Sequence, residues 1–296
     1  MSPQPIFADG IYRSSDAGVP IRRWCREHLQ QWSVPHCLSR VDTSLGPTAV
    51  ISAGMHTNRP PAVIVSGSGL NAATSLATAC ALTKLRRVFL VDLPGQPGLS
   101  SSTGPPHGRA RGYGPWLEET VRQLSTEPVV VLGHSHGAAV ALDATPSPQF
   151  AGLVLVNPFG FVPARRSPGF RLLRWRWLID PTMENSERLL SHLLSPRFVP
   201  DAALIDWFHL LGEHCTKARY DRPLPPETIR AWADYGTPVR VATGSHDHLI
   251  APDRLRERVT SLLDTDVKTM TGCGHLGLRE APAAIADLVD SVSSSA

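Results

Sequence analysis

Lysine is nearly absent from this 296-residue chain: Lys84, Lys217 and Lys268 are the only three, and arginine carries almost all the positive charge. The net charge of +3 is too small to suggest nucleic-acid recognition, which needs a concentrated basic footprint. Cysteine is scarce as well. Cys25, Cys37, Cys80, Cys215 and Cys273 are odd in number and form no CxxC pair, which argues against a disulfide framework and against a structural zinc site. A chain of that kind suits a reducing compartment, so a cytoplasmic location is expected. No apolar run approaches the length needed to cross a bilayer. The opening MSPQPIFADGIYRSSD lacks the basic stretch and apolar core of a secretion signal. Neither a nucleic acid nor a membrane is expected as a partner.

What remains is an ordinary globular composition in a length that fits one large α/β domain with a modest insertion. The first residues, rich in proline and serine, are expected to be loose. Val19 to Trp32 carries Ile21, Trp24, Cys25, His28, Leu29 and Trp32 at helical spacing, and Pro35 ends the helix. HCLSRVDTS and TAVISAG then read as a hairpin turning at Leu45-Gly46-Pro47. From PAVIVSG onward, strands alternate with helices: RVFLVDLPG, PVVVLG, AGLVLV, TPVRVATG and DVKTM are strands. Between and after them, Leu70–Leu85, Gly114–Ser125, Ala138–Ala144, Asp253–Leu263 and Ala281–Val292 are helices. Such alternation predicts a parallel sheet covered on both faces. Ser100 to Gly114 reads as a long mobile surface loop. Pro158 to Tyr235 has helical and proline-rich segments but no strong strand, which predicts a helical insertion between two sheet strands.

Gly133-His134-Ser135-His136-Gly137 directly follows one of those apolar strands and precedes the small-residue helix AAVALDA. As a bare pattern, G-x-S-x-G also describes an ordinary Gly-Ser turn. In a strand-turn-helix context it places a serine on a tight, strained turn with its hydroxyl above the sheet edge. The flanking glycines remove Cβ atoms that would clash, and the helix N-terminus aims amide hydrogens at developing negative charge. Such a serine needs a base. His275, in the glycine-rich TGCGHLG after the last strand, stands where a base is required, although any of the twelve histidines can be a surface group. A third group must orient the imidazole. Asp247, in ATGSHDHLIAP, follows the strand TPVRVATG, while Asp253 is the more obvious cap of the next helix. Backbone donors for an oxyanion are expected at His136 and at Ser68, with Gly69 next.

The order Ser, Asp, His, together with DLPGQPGLS, GHSHG, GSHDHLIAP and GCGH, resembles the α/β-hydrolase fold superfamily from about Val41 to the C-terminus. That resemblance implies an eight-stranded, mostly parallel sheet flanked by helices, with a helical lid inserted after strand 6. The implied division is an N-terminal extension at 1–40, a core at 41–158 and 236–296, and a lid at 159–235. The chain departs from many members in having Ser66-Gly67 where they carry His-Gly.

The implied activity is that of a serine hydrolase acting on an ester or thioester of a small molecule. Ser135, His275 and Asp247 form the triad, Ser68 and His136 the oxyanion hole, and no cofactor is needed. The same triad also serves cyclases, acyltransferases and carbon–carbon bond hydrolases, and the fold serves non-catalytic binders. The histidines at 134, 136, 246 and 248 lack metal-ligand spacing, so no metal is expected. The His136 side chain is expected to face the substrate. Asn157 cannot ionise, and Cys273 is read as a bystander thiol. The arginines at 165, 166, 171, 174 and 176, interleaved with Trp175 and Trp177, read as a solvated face whose tryptophans pack on the core. The alternative is an entry site for an acidic substrate or a carrier protein.

Overall fold

The computed structural model of the protein describes residues 10–105, 110–216 and 222–293. The opening residues read as loose, 1–9, lie outside the described residues.

β1 (His36–Thr43) and β2 (Gly46–Ala53) form the expected hairpin. Thr43 pairs with Gly46, so the turn is Ser44-Leu45, and Gly46 already opens β2 at φ +92°. β3 (Ala62–Val65), β4 (Val88–Val91), β5 (Val129–His134), β6 (Phe150–Val156), β7 (Val239–Gly244) and β8 (Val267–Met270) complete a sheet in the order β1-β2-β4-β3-β5-β6-β7-β8. β2 meets both neighbours antiparallel, and every later pairing is parallel. AVIV, VFLV and VVVLGH are buried along their whole length, as strands with helices on both faces must be. The boundary expected at residue 41 falls inside β1, so the preceding residues already belong to the sheet.

α2 (Leu76–Thr83) and α11 (Pro282–Ser293) pack together on one face. α3 (Gly114–Leu124), α4 (His136–Asp143), α8 (Pro226–Tyr235) and α9 (Pro252–Leu263) form a connected layer. The helix expected from Leu70 to Leu85 is broken. Asn71 accepts the Thr74 N–H while the Thr74 hydroxyl accepts that of Asn71, and this capping box begins a 3-10 turn at Ala72. α4 begins at His136, two residues earlier than expected. A four-residue helix, α10 (Gly277–Glu280), is too short to show periodicity and was not expected.

α1 (Gly18–Gln31) lies against the insertion, with Trp24 and Trp207 rings 4.6 Å apart. The insertion holds α5 (Pro168–Ile179), α6 (Met183–Leu193) and α7 (Ala202–His214). α8, expected to belong to the same unit, packs on α4 and α9 instead. Its Ile229 and Trp232 are fully buried, and Trp232 Nε1 donates to the Leu142 carbonyl at 3.1 Å. The polar stretch after Ser100 is also not simply surface. Ser100, Pro105, Ala110 and Tyr113 are buried, and the Tyr113 hydroxyl donates to the Pro94 carbonyl at 2.5 Å. Residues 106–109 of that stretch lie outside the described residues. No helix among the described residues is long and apolar enough to cross a membrane.

Candidate active site

The turn between β5 and α4 is as tight as its sequence demands. Ser135 adopts φ 53° and ψ −113°, a backbone conformation rare for a residue with a side chain. It is held there by its own N–H on the Val156 carbonyl at 2.9 Å and by the Phe159 N–H on its carbonyl at 3.1 Å. A Cβ at Gly133 would meet the Gly137 carbonyl oxygen at 2.6 Å, and one at Gly137 would meet the Val65 oxygen at 2.1 Å. Glycine is required at both places because backbone passes through the space a side chain would fill.

His275 comes to this turn from the loop after β8. Its Nε2 lies 2.9 Å from Ser135 Oγ, and its Nδ1 lies 2.9 Å from Asp247 Oδ2 and 3.1 Å from Oδ1. Three residues separated by up to 140 positions thus form one hydrogen-bonded chain, and all three are buried. Asp247 stands just past the C-terminal end of β7. Its Oδ1 accepts the N–H groups of Leu249 and Ile250 at 2.8 and 3.0 Å. Burial pushes its carboxyl up, but the electrostatic interaction with His275 and the hydrogen bonds it accepts, from His275 and the Ile250 N–H among others, prevail and hold it below the usual carboxylate range. Asp253 does not cap α9; it sits in the first turn and pairs with Arg256 at 2.9 Å.

Several supporting residues were not assigned a role from sequence. Asn157, at φ 46° after β6, donates from Nδ2 to Asp247 Oδ2 at 2.7 Å and to the Gly274 carbonyl at 3.1 Å. It therefore holds the carboxylate and the histidine loop together. A polar residue ending a buried strand is the sole sequence signal for it. Glu280 of α10 accepts the Gly274 N–H at 3.0 Å and the Ser195 N–H at 2.9 Å. The His275 N–H donates to the Leu193 carbonyl at 2.7 Å, tying the loop to the end of α6. His134 donates from Nε2 to the His275 carbonyl at 2.8 Å. Burial, and the proximity of His275, lower its pKa to about 4, so the ring is neutral near pH 7.

Ser68 and Ser135 line one cavity. Among the described residues, no acceptor meets the Ser68 amide. The Gly69 amide is taken by Gln96 Oε1 at 3.0 Å, which leaves Ser68 the better placed of the two. His136 opens α4, so its amide stands at the helix N-terminus, the end that favours negative charge. Its side chain turns away from the cavity and meets the Tyr113 ring edge-on at 5.7 Å. The expectation that it faces a substrate is therefore corrected: the helix start points it beneath the elbow.

The cavity encloses about 160 Å³. Its walls are chiefly apolar, with Phe159, Phe170, Trp177, Leu189, Phe208 and Leu211 the main contributors, and Ser135 and His275 stand on its surface. Ile11, from the N-terminal segment, also reaches it. Trp207 of α7 donates from Nε1 to the Gly69 carbonyl at 2.8 Å, tying the insertion to the loop after β3. Trp175 does not pack on the core as expected: it is 59% exposed, whereas Trp207 and Trp232 are fully buried. Among the described residues, no three His, Cys, Asp or Glu side chains gather where they could hold a metal ion.

The model of the alpha/beta hydrolase family matches residues 62–288. A naproxen esterase from Bacillus subtilis superposes with a TM-score of 0.77 at 19% identity, covering 94% of this chain and 98% of that one. A carboxylesterase from the same organism gives 0.78 at 16% identity, covering 95% and 99%. An N-acyl homoserine lactonase complexed with N-butanoyl homoserine gives 0.64 at 19%, covering 86% and 95%. At such identities the likeness is one of fold. No match was found among curated protein sequences.

Proposed function

The chain belongs to the alpha/beta hydrolase family, and from that premise we propose that it hydrolyses a carboxylic ester or thioester bearing a compact apolar group. The observation that carries this reading is the hydrogen-bonded chain from Ser135 through His275 to Asp247 at the wall of an apolar cavity.

In the proposed reaction, Ser135 Oγ attacks the substrate carbonyl carbon as its proton passes to His275 Nε2. Asp247 keeps the Nδ1–H oriented and stabilises the imidazolium that forms. The carbonyl oxygen becomes an oxyanion facing the amides of Ser68 and His136. Collapse breaks the bond to the alcohol or thiol, which leaves with the proton from His275. Water, deprotonated by the same nitrogen, then attacks the acyl-enzyme and releases the acid. The resting His275 must accept a proton, so the carboxylate beside it has to stay ionised, and the hydrogen bonds on Asp247 favour that state. A cavity of this volume suits a group of about benzene size or a short acyl chain. The solved structures of like fold include esterases and a lactonase, which supports the choice of bond.

The test is turnover of p-nitrophenyl esters of graded chain length, acyl lactones and acyl thioesters. Labelling by a fluorophosphonate, mapped by mass, is run in parallel. Wild type is expected to hydrolyse short to medium apolar acyl groups best and to take one adduct at Ser135. Ser135→Ala is expected to lose at least about four orders of magnitude in kcat. His275→Ala is expected to lose both turnover and labelling. Folded wild type that neither turns over nor labels, or Ser135→Ala that still turns over, overturns the proposal.

A further inference from the structure

α5 has two apolar faces, and the cavity uses only one of them. Phe170, Arg174 and Trp177, spaced four and three apart, line the cavity, and Phe170 is 4% exposed. Leu172, Trp175 and Ile179, spaced three and four apart, fall on the opposite side. They are 49%, 59% and 63% exposed. One exposed apolar side chain needs no explanation, but three on one helical stripe, the large indole among them, form a patch.

Arginine dominates the charge along the segment that carries this stripe. Arg171 and Arg176 flank it at helical positions on either side, and Arg165 and Arg166 are exposed just before the helix. Between Phe159 and Pro181 the single acidic residue is Asp180, at the C-terminal end of α5. An acidic protein partner would account for the arginines but not for three aliphatic and aromatic groups in a row. A second copy of this chain would bring arginine against arginine. A stripe of leucine, isoleucine and tryptophan edged by arginines has the chemistry of a helix that lies in the headgroup region of an anionic bilayer. There the apolar groups enter the acyl boundary and the guanidinium groups meet phosphates.

We propose that the outer face of α5 docks the protein on anionic phospholipid membranes. This departs from the absence of a membrane partner expected from composition, because no bulk property reveals a single three-residue stripe. Since the inner face of the same helix walls the cavity, docking brings the cavity to the lipid phase, where an apolar substrate accumulates. That delivery rests on the proposed hydrolase activity, whereas the docking itself does not.

The experiment is co-sedimentation of the full chain, as Ser135→Ala and as wild type, with vesicles of equimolar phosphatidylcholine and phosphatidylglycerol. Pure phosphatidylcholine vesicles serve as the comparison. Binding to the anionic vesicles is expected at low salt, falling at least tenfold in about 0.5 M NaCl. The triple variant Leu172→Gln, Trp175→Gln, Ile179→Gln is expected to lose at least about tenfold in partitioning. Each of Arg171→Gln and Arg176→Gln should lose roughly fivefold. Circular dichroism and turnover of a soluble ester by the triple variant in the Ser135-containing background verify that the fold survives. Equal binding by Ser135→Ala and wild type, with loss in the triple variant, supports docking whatever the outcome for catalysis. Absence of wild-type binding to anionic vesicles at low salt overturns the proposal, as does undiminished binding by the triple variant. A self-association that the triple variant abolishes, without vesicle binding, assigns the face to a second copy and equally overturns it.

Discussion

β3, β4 and β5 are buried along their entire length, while in α5 only Phe170 is buried. The two regions meet at one cavity but meet it differently. The sheet delivers Ser135, Asp247 and His275 from strand ends whose neighbours are locked by parallel pairing and by helices on both faces. The insertion delivers walls from helices that hold one side against the cavity and leave the other in solvent. Atoms that must stay within hydrogen-bond distance need the first kind of support, because rigidity there comes from close packing on every side. Apolar walls tolerate the second kind, since contact with a substrate depends on area more than on angle.

The comparison can be broken most severely at Gly137. Its absent Cβ is the space through which the carbonyls of Val65, at the end of β3, and of Ser66 pass, at 2.1 and 2.7 Å. Gly137→Ala is expected to destabilise by about 3 kcal/mol or more, because backbone on both sides must yield. Urea unfolding measures it, and a loss below 1 kcal/mol, on the order of an ordinary surface change, would show that the elbow is softer than the sheet around it.

A comparable effect is expected at His134, read through pH. Its folded-state pKa of about 4 lies below the ordinary 6.5, so folding holds the imidazole neutral. Above pH 6.5 this costs nothing, but as pH falls the unfolded chain takes up a proton that the fold refuses, and the loss of stability grows to about 3 kcal/mol by pH 4. His134→Gln keeps a donor for the His275 carbonyl and cannot titrate. Its stability is expected to fall less than that of wild type over that window. Parallel curves for the two proteins would remove His134 from the acid sensitivity of the core.

The smallest effect is expected in the insertion. Gly169, in the first turn of α5, is exposed, and a Cβ there meets nothing within 4 Å. Gly169→Ala should stabilise by up to about 0.5–1 kcal/mol by reducing the freedom of the unfolded chain and favouring helix. A rise in Tm of a few degrees or less, with unchanged ester turnover, is the expected reading. A drop would mean that α5 is packed more closely than its exposure indicates. The pair Gly137 and Gly169 thus measures the same chemical change in the tight and the open region.

Much of the site was legible because its signals are local. GHSHG encodes a strand end, a turn and a helix start within a few residues, and glycine is demanded by backbone approach rather than by distant side chains. Asp247 and His275 were legible by their place after successive strands, since parallel strands bring their C-terminal ends to one edge of the sheet. Asn157 was set aside because it cannot ionise. Its use lies in two donated hydrogen bonds to groups 90 and 117 positions away, which no local pattern reports. Gln96 likewise lay in a recognisable loop without revealing that it occupies the Gly69 amide. Which helices of the segment between β6 and β7 rest on the sheet is equally a matter of distant contacts. α8 is helical like its neighbours, and only the burial of Ile229 and Trp232 against the core assigns it to the layer on the sheet.

The chain by itself therefore determined the alternation of strands and helices, the strained serine turn and the order of the three groups that converge on it. These follow from hydrophobic period and from backbone sterics, both of which act over a few residues. Tertiary structure alone decided which amide beside the cavity stays open and what holds the Asp247 carboxylate in place. It also decided that His136 turns inward to Tyr113 and that one stripe of α5 faces solvent. Each of these depends on which side chain arrives from a distant element, and hydrogen bonding and exclusion of water are settled only when those elements have packed.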